Sequence, residues 1–352
     1  MSELEIIKNK LEWDSTIKLF VESDFYHTYD YHLISKKEDE TPILIKYNED
    51  DLVIVLPLLI RKIEGTEFKD ATSVYGYPGP ISINLTEDFN NTIFIKKMYR
   101  FLYENNIVSV FSRLNPYIKH QETILKGLGQ IYSPGQVIDI DLTKDIESQK
   151  VDYNRRLKTY INKSRKQYST RLAKKNQDIE TFIDMYYENM RRVKAIDSYF
   201  FTKAYFFDFI KSNSFDTDIL LAIDNDSKEI IGGAMFVKKN NIVQYHLSGV
   251  KNEYLSLNPI KLLIDDMRIR ATKEKFTFFN LGGGVGGKTD SLFYFKSGFS
   301  KEIKDFKIWR YIVNEQVYEN LVRDKHKQKI DCVFSHKTCL EYFPCYRCNI
   351  KY

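Results

Sequence analysis

The chain has 352 residues, of which 43% are hydrophobic and 29% are charged. This composition excludes a disordered or fibrous protein, and the length predicts two domains or one large α/β unit. The formal net charge of +5 is too small to indicate nucleic acid by itself. We expect anionic small-molecule partners, with a nucleotide-linked substrate such as a nucleotide sugar or an anionic membrane surface as alternatives, and no DNA.

The sequence has no apolar run of the ~20 residues that a membrane-spanning helix needs. Residues 1–12 are charged and mixed, unlike a signal peptide. We therefore expect a cytoplasmic protein, with peripheral contact to the inner membrane face as an alternative.

All four cysteines lie near the C-terminus. Cys345 and Cys348 have a C-x-x-C spacing, but Cys332 and Cys339 do not form a second such pair. His336 could join a zinc site, although reduced thiols are the expected state in a cytosolic chain. We predict no metal.

Strands and helices alternate in the first part of the chain, a pattern typical of a layered α/β fold. The predicted strands cover 42–46, 51–61, 108–113 and 136–142, and the predicted helices 88–105 and 119–127. A second set follows, with helices at 179–194, 202–211 and 259–273 and strands at 217–224, 229–238, 242–250, 277–281 and 304–313.

A basic segment lies between these two parts. No acidic residue occurs between Asp152 and Asp178, and the segment carries nine basic residues: Arg155, Arg156, Lys158, Lys163, Arg165, Lys166, Arg171, Lys174 and Lys175. We predict a basic linker helix over 147–176, which is either a solvated connector or a face that binds phosphate. The predicted domains are then 1–146, with 314–352 returning to it, and 177–313.

A glycine-rich run follows the predicted strand 277–281. It contains Gly282, Gly283, Gly284, Gly286 and Gly287. Such a backbone can approach a ligand closely, and its N–H groups can face an anion, so we predict donor binding here. Literal matches to dinucleotide-binding and P-loop motifs exist, but neither is followed by the long helix that those sites require.

The order of several motifs resembles a known family. The motifs are Trp13-Asp14, Leu56-Pro57-Leu58-Leu59, Tyr75-Gly76-Tyr77-Pro78-Gly79-Pro80, the basic run from Arg155 to Arg171, Met185 to Arg192 with Tyr199-Phe200, Ile231-Gly232-Gly233-Ala234, Tyr245-His246-Leu247-Ser248-Gly249, Phe279-Asn280-Leu281-Gly282-Gly283 and Phe295-Lys296-Ser297-Gly298-Phe299. Together they resemble the FemA/FemB/FemX-like branch of the GNAT acyltransferase superfamily, over nearly the whole chain.

This resemblance implies an α/β fold of two tandem GNAT-like domains, each a mixed sheet flanked by helices. It implies transfer of an acyl group to an amine by direct attack within a ternary complex. The implied donor is acyl-CoA or aminoacyl-tRNA, and the implied acceptor is a cell-envelope precursor.

Three features depart from the family pattern. Asn115-Pro116 stands where aminoacyl-tRNA-dependent members have Asp-Pro. No long coiled-coil insertion is present, and no pyrophosphate-binding loop precedes Asn258-Pro259. The first departure favours a simpler acyl donor over aminoacyl-tRNA.

Candidate site residues follow from the resemblance and from side-chain chemistry. Lys296 could neutralise a phosphate or a tetrahedral oxyanion, His246 could act as general base, and Asp290 could orient an amine or cap a helix. The candidate substrate-binding residues are Tyr75, Tyr77, Arg113, Arg192, Tyr199, Tyr245 and Phe295.

The leading hypothesis is an N-acyltransferase that uses acyl-CoA to acylate an amine of a cell-envelope precursor, either an amino sugar or a nucleotide-linked sugar. The first alternative is an aminoacyl-tRNA-dependent transferase that acts on a peptidoglycan precursor. The second is a non-catalytic GNAT shell that binds an anionic glycan or nucleotide.

Overall fold

The computed structural model describes residues 2–327 and 342–348. The strands are β1 Ser2–Ile7, β2 Glu40–Glu49, β3 Leu52–Lys62, β4 Lys69–Thr72, β5 Ile81–Ile83, β6 Ile107–Arg113, β7 Gln130–Asp141, β8 Tyr168–Leu172, β9 Asp216–Asp224, β10 Ile230–Lys239, β11 Ile242–Val250, β12 Phe278–Gly282 and β13 Glu302–Ile312. The α-helices are α1 Lys10–Ile17, α2 Tyr29–Ser35, α3 Thr92–Glu104, α4 Gln121–Leu125, α5 Ile146–Val151, α6 Arg155–Gln167, α7 Asn176–Arg192, α8 Lys203–Lys211, α9 Ile260–Lys273, α10 Ser291–Ser297 and α11 Glu315–Lys327.

The chain divides into two compact units. The first comprises Met1–Ser133 and Phe306–Tyr352, and the second comprises Pro134–Asp305. Strands β7 and β13 each contribute residues to both units.

The sheet of the first unit runs in the order β1-β2-β3-β4-β6-β13, and β5 also pairs with β3. Its pairs are antiparallel except β4 with β6, which is parallel. The apolar face of α3, formed by Phe94, Met98 and Leu102, packs in the core of this sheet. A helical crossover between two parallel strands thus follows an antiparallel meander.

The second unit repeats this arrangement. Its sheet runs β7-β12-β11-β10-β9-β8, and only β11 and β12 are parallel. Helix α9, which begins directly after Pro259, provides the crossover and buries Leu263 and Met267 in the core. The predicted fold class, two tandem units of mixed sheet flanked by helices, is confirmed.

The segment 147–176 differs from the single helix that its charge pattern predicted. It contains most of α5, all of α6 and the edge strand β8, and it lies in the second unit. Tyr168 is buried, and β8 pairs with β9, so sheet pairing overrides helix continuation after Gln167.

Two of the nine basic residues of this segment are paired with carboxylates within the unit. Arg165 contacts Asp265 and Asp266 of α9, each at 2.6 Å, and Arg171 forms a two-pronged pair with Asp178 of α7 at 2.7 Å. These contacts join α6 and β8 to the unit. Exposed basic side chains remain on α6: Arg155, Arg156, Lys158, Lys163 and Lys166.

Candidate active site

The parallel strands β11 and β12 separate from each other toward their carboxyl ends. They pair only through residues 242–244 and 278–280, although β11 continues to Val250 and β12 to Gly282. Each strand remains paired on its other side, with β10 and β7 respectively. The carboxyl end of a parallel pair is a common ligand position in α/β proteins. We call this place the β11–β12 opening.

Lys296 of α10 lies at the β11–β12 opening. Its Nζ donates to the carbonyl of Gly283 at 2.8 Å and lies 5.8 Å from the ring centre of Tyr245. Tyr245 directly follows the last residue of β11 that pairs with β12, and Gly283 directly follows the end of β12. The lysine is only 7% exposed, and it forms no ion pair with any residue that the structure describes. A cation is thus held in a desolvated position with little compensation.

Burial determines the protonation of this lysine. Desolvation lowers the pKa of Lys296 to about 8, and the more distant charge of Asp290 only partly opposes the shift. The side chain is therefore mostly protonated at pH 7, close to the point of losing its proton. A charge that is held with little water around it interacts strongly with a developing negative charge.

The glycine-rich segment forms a compact turn beside this lysine. Gly282 has φ = +75°, and a Cβ there would lie 3.1 Å from Lys296 Nζ. A Cβ at Gly283 would lie 2.3 Å from the Gln136 carbonyl of β7. Gly284 is closed in by the carbonyl of Lys288 and the carboxylate of Asp290. The glycines therefore allow a tight backbone path that brings the Gly283 carbonyl to Lys296.

Two further glycines complete the turn. Gly286 and Gly287 have φ values of +63° and +82°, in the left-handed region that favours glycine. Space around Gly286 is open, with no atom within 4 Å of where its Cβ would stand. Donor binding by the glycines remains a proposal.

Asp290 organises this turn. It is the N-cap of α10, accepting from the backbone N–H of Phe293 at 2.9 Å, and it also accepts from the N–H of Val285 at 2.9 Å. These backbone hydrogen bonds lower the pKa of its carboxyl. The carboxylate thus connects the glycine turn to the helix that carries Lys296.

His246 is the extra residue of a β-bulge in β11. The register passes from Met235 opposite Leu247 to Phe236 opposite Tyr245, leaving His246 without an opposite residue. Its Nε2 lies 2.9 Å from the Tyr205 hydroxyl, and its ring packs against Phe209 with centroids 5.0 Å apart. Desolvation lowers the pKa of His246 to about 3. A group with this pKa is a weak base at pH 7, which argues against proton abstraction by His246.

The other candidates in the second unit occupy different places. The Tyr245 hydroxyl lies 2.5 Å from Ser248 Oγ, and Phe295 packs edge-on against Phe299 in the core. Arg192 donates to the side chains of Asn252 and Asn189 at the end of α7. The backbone carbonyl of Tyr199 accepts from the Tyr186 hydroxyl at 2.6 Å. Of this group, Tyr245 is the residue whose ring lies near the Lys296 ammonium, 5.8 Å from Nζ.

The candidates Tyr75, Tyr77 and Arg113 belong to the first unit. The Arg113 guanidinium lies 5.7 Å from the ring centre of Tyr75, whose side chain is 60% exposed. Tyr77 is half-buried, edge-on to Tyr26 at 5.8 Å, and burial raises its pKa well above the usual value.

Sequence reasoning did not single out Asn280, the last residue of β12 to pair with β11. Its Oδ1 accepts from the Gly282 N–H at 2.7 Å, and its buried Nδ2 has no partner among the described residues. Asp139 of β7 and Gln244 of β11, both buried, are its register partners. Only the position of Asn280 in the family motif could have indicated it.

The structure adds two observations on metals and membranes. Within residues 2–327 and 342–348, no group of three acidic, histidine or cysteine side chains is arranged to hold a metal, and no helix is long and apolar enough to cross a bilayer. Cys345 and Cys348 are buried thiols. Cys332, His336 and Cys339, which the zinc alternative required, lie outside the described residues.

Residues 166–307 match the model of the FemAB family. This segment contains α7 to α10 and the β11–β12 opening. The FemAB-like resemblance that the motifs predicted is confirmed. No curated protein matches the sequence.

Solved structures similar to the chain include a crystal structure of FemX, with a TM-score of 0.70 and 12% identity, covering 90% of this chain and 99% of that one. A conserved protein of unknown function from Bacteroides thetaiotaomicron VPI-5482 matches with a TM-score of 0.59 and 11% identity. The match covers 88% of this chain and 100% of that one. The C-terminal domain of a putative lysylphosphatidylglycerol synthetase from Agrobacterium fabrum matches with a TM-score of 0.54 and 11% identity. The match covers 90% of this chain and 97% of that one. At these identities the similarity establishes the fold.

The small space between Gly282 and Lys296 Nζ leads to a testable prediction. Gly282→Ala should destabilise the protein by about 1–2 kcal/mol through its positive φ and should also displace the lysine ammonium, reducing activity more than tenfold. Gly286→Ala is the matched control, because it carries the same backbone strain in open space. Denaturant unfolding and activity of both variants test this. Equal activity in the two variants would show that the Gly282 position does not set the place of Lys296.

Proposed function

We propose that this protein is an N-acyltransferase that uses acyl-CoA to acylate an amine of a cell-envelope precursor, an amino sugar or a nucleotide-linked sugar. The FemAB match and the FemX-like fold support a transferase that acts on a cell-envelope substrate. The observation that carries the proposal is the desolvated Lys296 at the β11–β12 opening. The proposal includes a cytoplasmic location, where such donors are found.

In the proposed mechanism the acceptor amine attacks the acyl carbonyl directly while both substrates are bound. The carbonyl oxygen gains negative charge as the new C–N bond forms, and the thiol of coenzyme A leaves when the tetrahedral intermediate collapses. The Lys296 ammonium offsets the charge on that oxygen, a contribution of about 3–4 kcal/mol in comparable oxyanion sites. The amine proton goes to solvent or to the departing thiolate, since His246 is a weak base.

A second candidate is an aminoacyl-tRNA-dependent transferase. The observation that favours it is the exposed basic face of α6, with Arg155, Arg156, Lys158 and Lys163. Such a face would interact with RNA phosphates, and binding would then weaken steeply as salt increases.

Calorimetric titration of acetyl-CoA into the full chain distinguishes these candidates. We expect acetyl-CoA to bind with micromolar affinity and coenzyme A to be released when amino-sugar acceptors are added. If acetyl-CoA does not bind and charged tRNA binds in a salt-dependent way, the donor would be aminoacyl-tRNA and not acyl-CoA. Binding of a sugar nucleotide without turnover by either donor would overturn catalysis and leave a GNAT-shell binding protein.

A further inference from the structure

The connection between α7 and α8 exposes apolar side chains to solvent. We call residues 191–203, from the last two residues of α7 to the first residue of α8, the α7–α8 loop. Within it Val193 is 59% exposed, Ile196 is 68% exposed and Tyr199 is 37% exposed. Several exposed apolar side chains on one short segment are typical of a contact surface.

The backbone of the α7–α8 loop is fixed, although these side chains are exposed. The hydroxyls of Tyr186 and Tyr187, both on α7, donate to the carbonyls of Tyr199 and Phe201, each at 2.6 Å. The Phe201 ring stacks on Tyr205 of α8, with ring centres 4.2 Å apart. The loop is therefore attached to both helices while its apolar side chains remain in contact with solvent.

The α7–α8 loop is also basic. Its exposed cations are Arg191, Arg192, Lys194 and Lys203. Asp197 is its single carboxylate, and none of the four cations forms an ion pair with a residue that the structure describes. Glu188, the preceding carboxylate on α7, accepts from the backbone N–H of Asn252 at 2.7 Å. The loop thus combines apolar side chains with positive charge that the protein itself does not neutralise.

Hydrogen bonds at the end of α7 place the loop beside the β11–β12 opening. Asn189 Nδ2 donates to the carbonyl of Ser248, near the carboxyl end of β11, at 3.3 Å. The parallel strand β12 ends on the same side of the sheet and leads into the glycine turn and α10. Val285 of that turn is 64% exposed, and Tyr294 of α10 is 65% exposed. Exposed apolar side chains therefore follow the carboxyl ends of both strands that form the opening.

The mixture of apolar and basic residues favours a lipid surface over other partners. The centre of a protein–protein interface is depleted of charged residues, whereas cations and apolar residues alternate along this one segment. Nucleic acid would use the cations but would leave Val193 and Ile196 without a role. A bilayer with anionic phospholipids accommodates both kinds of side chain, because apolar groups enter the boundary between headgroups and acyl chains while cations stay at the phosphates.

We propose that the α7–α8 loop docks the protein on an anionic phospholipid bilayer. Val193 and Ile196 enter the boundary between headgroups and acyl chains, Tyr199 lies at the level of the headgroups, and the four cations contact lipid phosphates. Arg192 and Tyr199, which the sequence suggested for substrate binding, then serve the membrane contact. Docking in this way turns the β11–β12 opening toward the bilayer. The surface goes beyond the proposed function, because it requires neither a particular donor nor a particular acceptor.

Co-sedimentation of the full chain with vesicles tests this surface. The vesicles are phosphatidylcholine alone, or phosphatidylcholine with about one-third phosphatidylglycerol. The wild type should bind the anionic vesicles more tightly by about tenfold or more, and salt should reduce the difference. Val193→Glu should weaken this binding by about tenfold or more. Val21→Glu is the matched control, at a valine of the first unit that is 75% exposed, and should bind as the wild type does.

A second pair of variants tests the charge. Lys194→Gln should weaken binding to the anionic vesicles about fivefold, because one cation near the lipid phosphates is lost. Lys228→Gln is its matched control, since both lysines are exposed and both have positive φ, and it should leave binding unchanged. All four side chains are exposed, so the melting temperatures of the variants should stay close to that of the wild type.

Three results would overturn the docking surface. The first is equal affinity of the wild type for the two kinds of vesicle, and the second is equal weakening by Val193→Glu and Val21→Glu. The third is self-association without vesicles that Val193→Glu abolishes, which would make the loop a contact between copies of this chain. Vesicle binding that depends on Val193, in a protein without acyl transfer, would keep the surface and remove the transferase. Acyl transfer by a protein that binds no vesicles would do the reverse.

Discussion

Replacing Lys296 with methionine is expected to reduce acyl transfer by about 10²–10³-fold. Methionine fills a similar volume but provides no charge for the carbonyl oxygen. The proposed role requires the ammonium form, so the activity of the wild type should fall as the pH rises through about 8. Steady-state rates between pH 6 and 9.5 measure both effects. Lys288→Met, at an exposed lysine of the adjacent turn, is the matched control and should retain activity.

The same substitution should not weaken the fold. The pKa of Lys296 is lowered in the folded state, so below pH 8 the folded protein maintains a buried charge that the unfolded chain solvates freely. Lys296→Met should therefore raise the free energy of unfolding by about 1–3 kcal/mol at pH 7. Between pH 8 and the usual lysine pKa, Lys296 carries its proton in the unfolded chain but not in the folded protein. The free energy of unfolding of the wild type therefore rises with pH, and the stability gained by Lys296→Met becomes smaller.

Two outcomes would refute this role. Full activity in Lys296→Met would exclude the lysine from catalysis. Lost activity together with a lower free energy of unfolding would indicate a structural lysine, whose replacement disturbs the site indirectly.

The second large effect concerns Asn115. The family resemblance implies an aspartate at this position in aminoacyl-tRNA-dependent members. Asn115 is 2% exposed, and its Nδ2 donates to Asp24 Oδ2 and to the Tyr77 carbonyl, each at 3.1 Å. Asp24 itself is completely buried. An aspartate at position 115 would place two carboxylates together without water, and it would leave the Tyr77 carbonyl without this donor.

Asn115→Asp should therefore lower the free energy of unfolding by about 3–5 kcal/mol at pH 7. The repulsion raises the folded-state pKa of the carboxyl pair above the unfolded value. Stability is then lost as the pH rises above about 4, and the difference from the wild type should be smaller near pH 4. Denaturant unfolding at the two pH values measures this.

Two further variants make the test specific. Asn162→Asp, at an exposed position of α6, should change stability little. The exchange variant, Asp24→Asn with Asn115→Asp, restores one carboxylate and one amide and should recover part of the loss. If Asn115→Asp were as stable as the wild type at pH 7, the Asp24 contact would not explain why asparagine occupies this position.

Nine of the thirteen described strands, the α9 crossover and the glycine turn with its lysine could be predicted from local sequence, whereas β1, β4, β5 and β8 were not. Hydrophobic periodicity and Pro259 define the elements of the second sheet, and the glycines together with Phe295-Lys296 indicate where a ligand would approach. These features depend on residues close together in the chain, whose backbone preferences and apolar pattern act locally.

Charge pairing was decided by the tertiary structure. The segment 147–176 reads as one basic helix, yet Asp178 and Asp265 neutralise two of its arginines and β9 draws its end into the sheet. Asp178 is only seven residues from Arg171, but Asp265 is 100 residues from Arg165. No local pattern predicts that second pairing.

The sequence by itself determined the fold class, the FemAB-like resemblance and the motif that carries Lys296. Only the tertiary structure decided that this lysine is desolvated, that His246 is a weak base and that Val193 and Ile196 remain exposed. The physical reason is that elements are specified by local backbone and hydrophobic preferences. Burial, pKa and the pairing of charges depend instead on groups that folding brings together from distant parts of the chain.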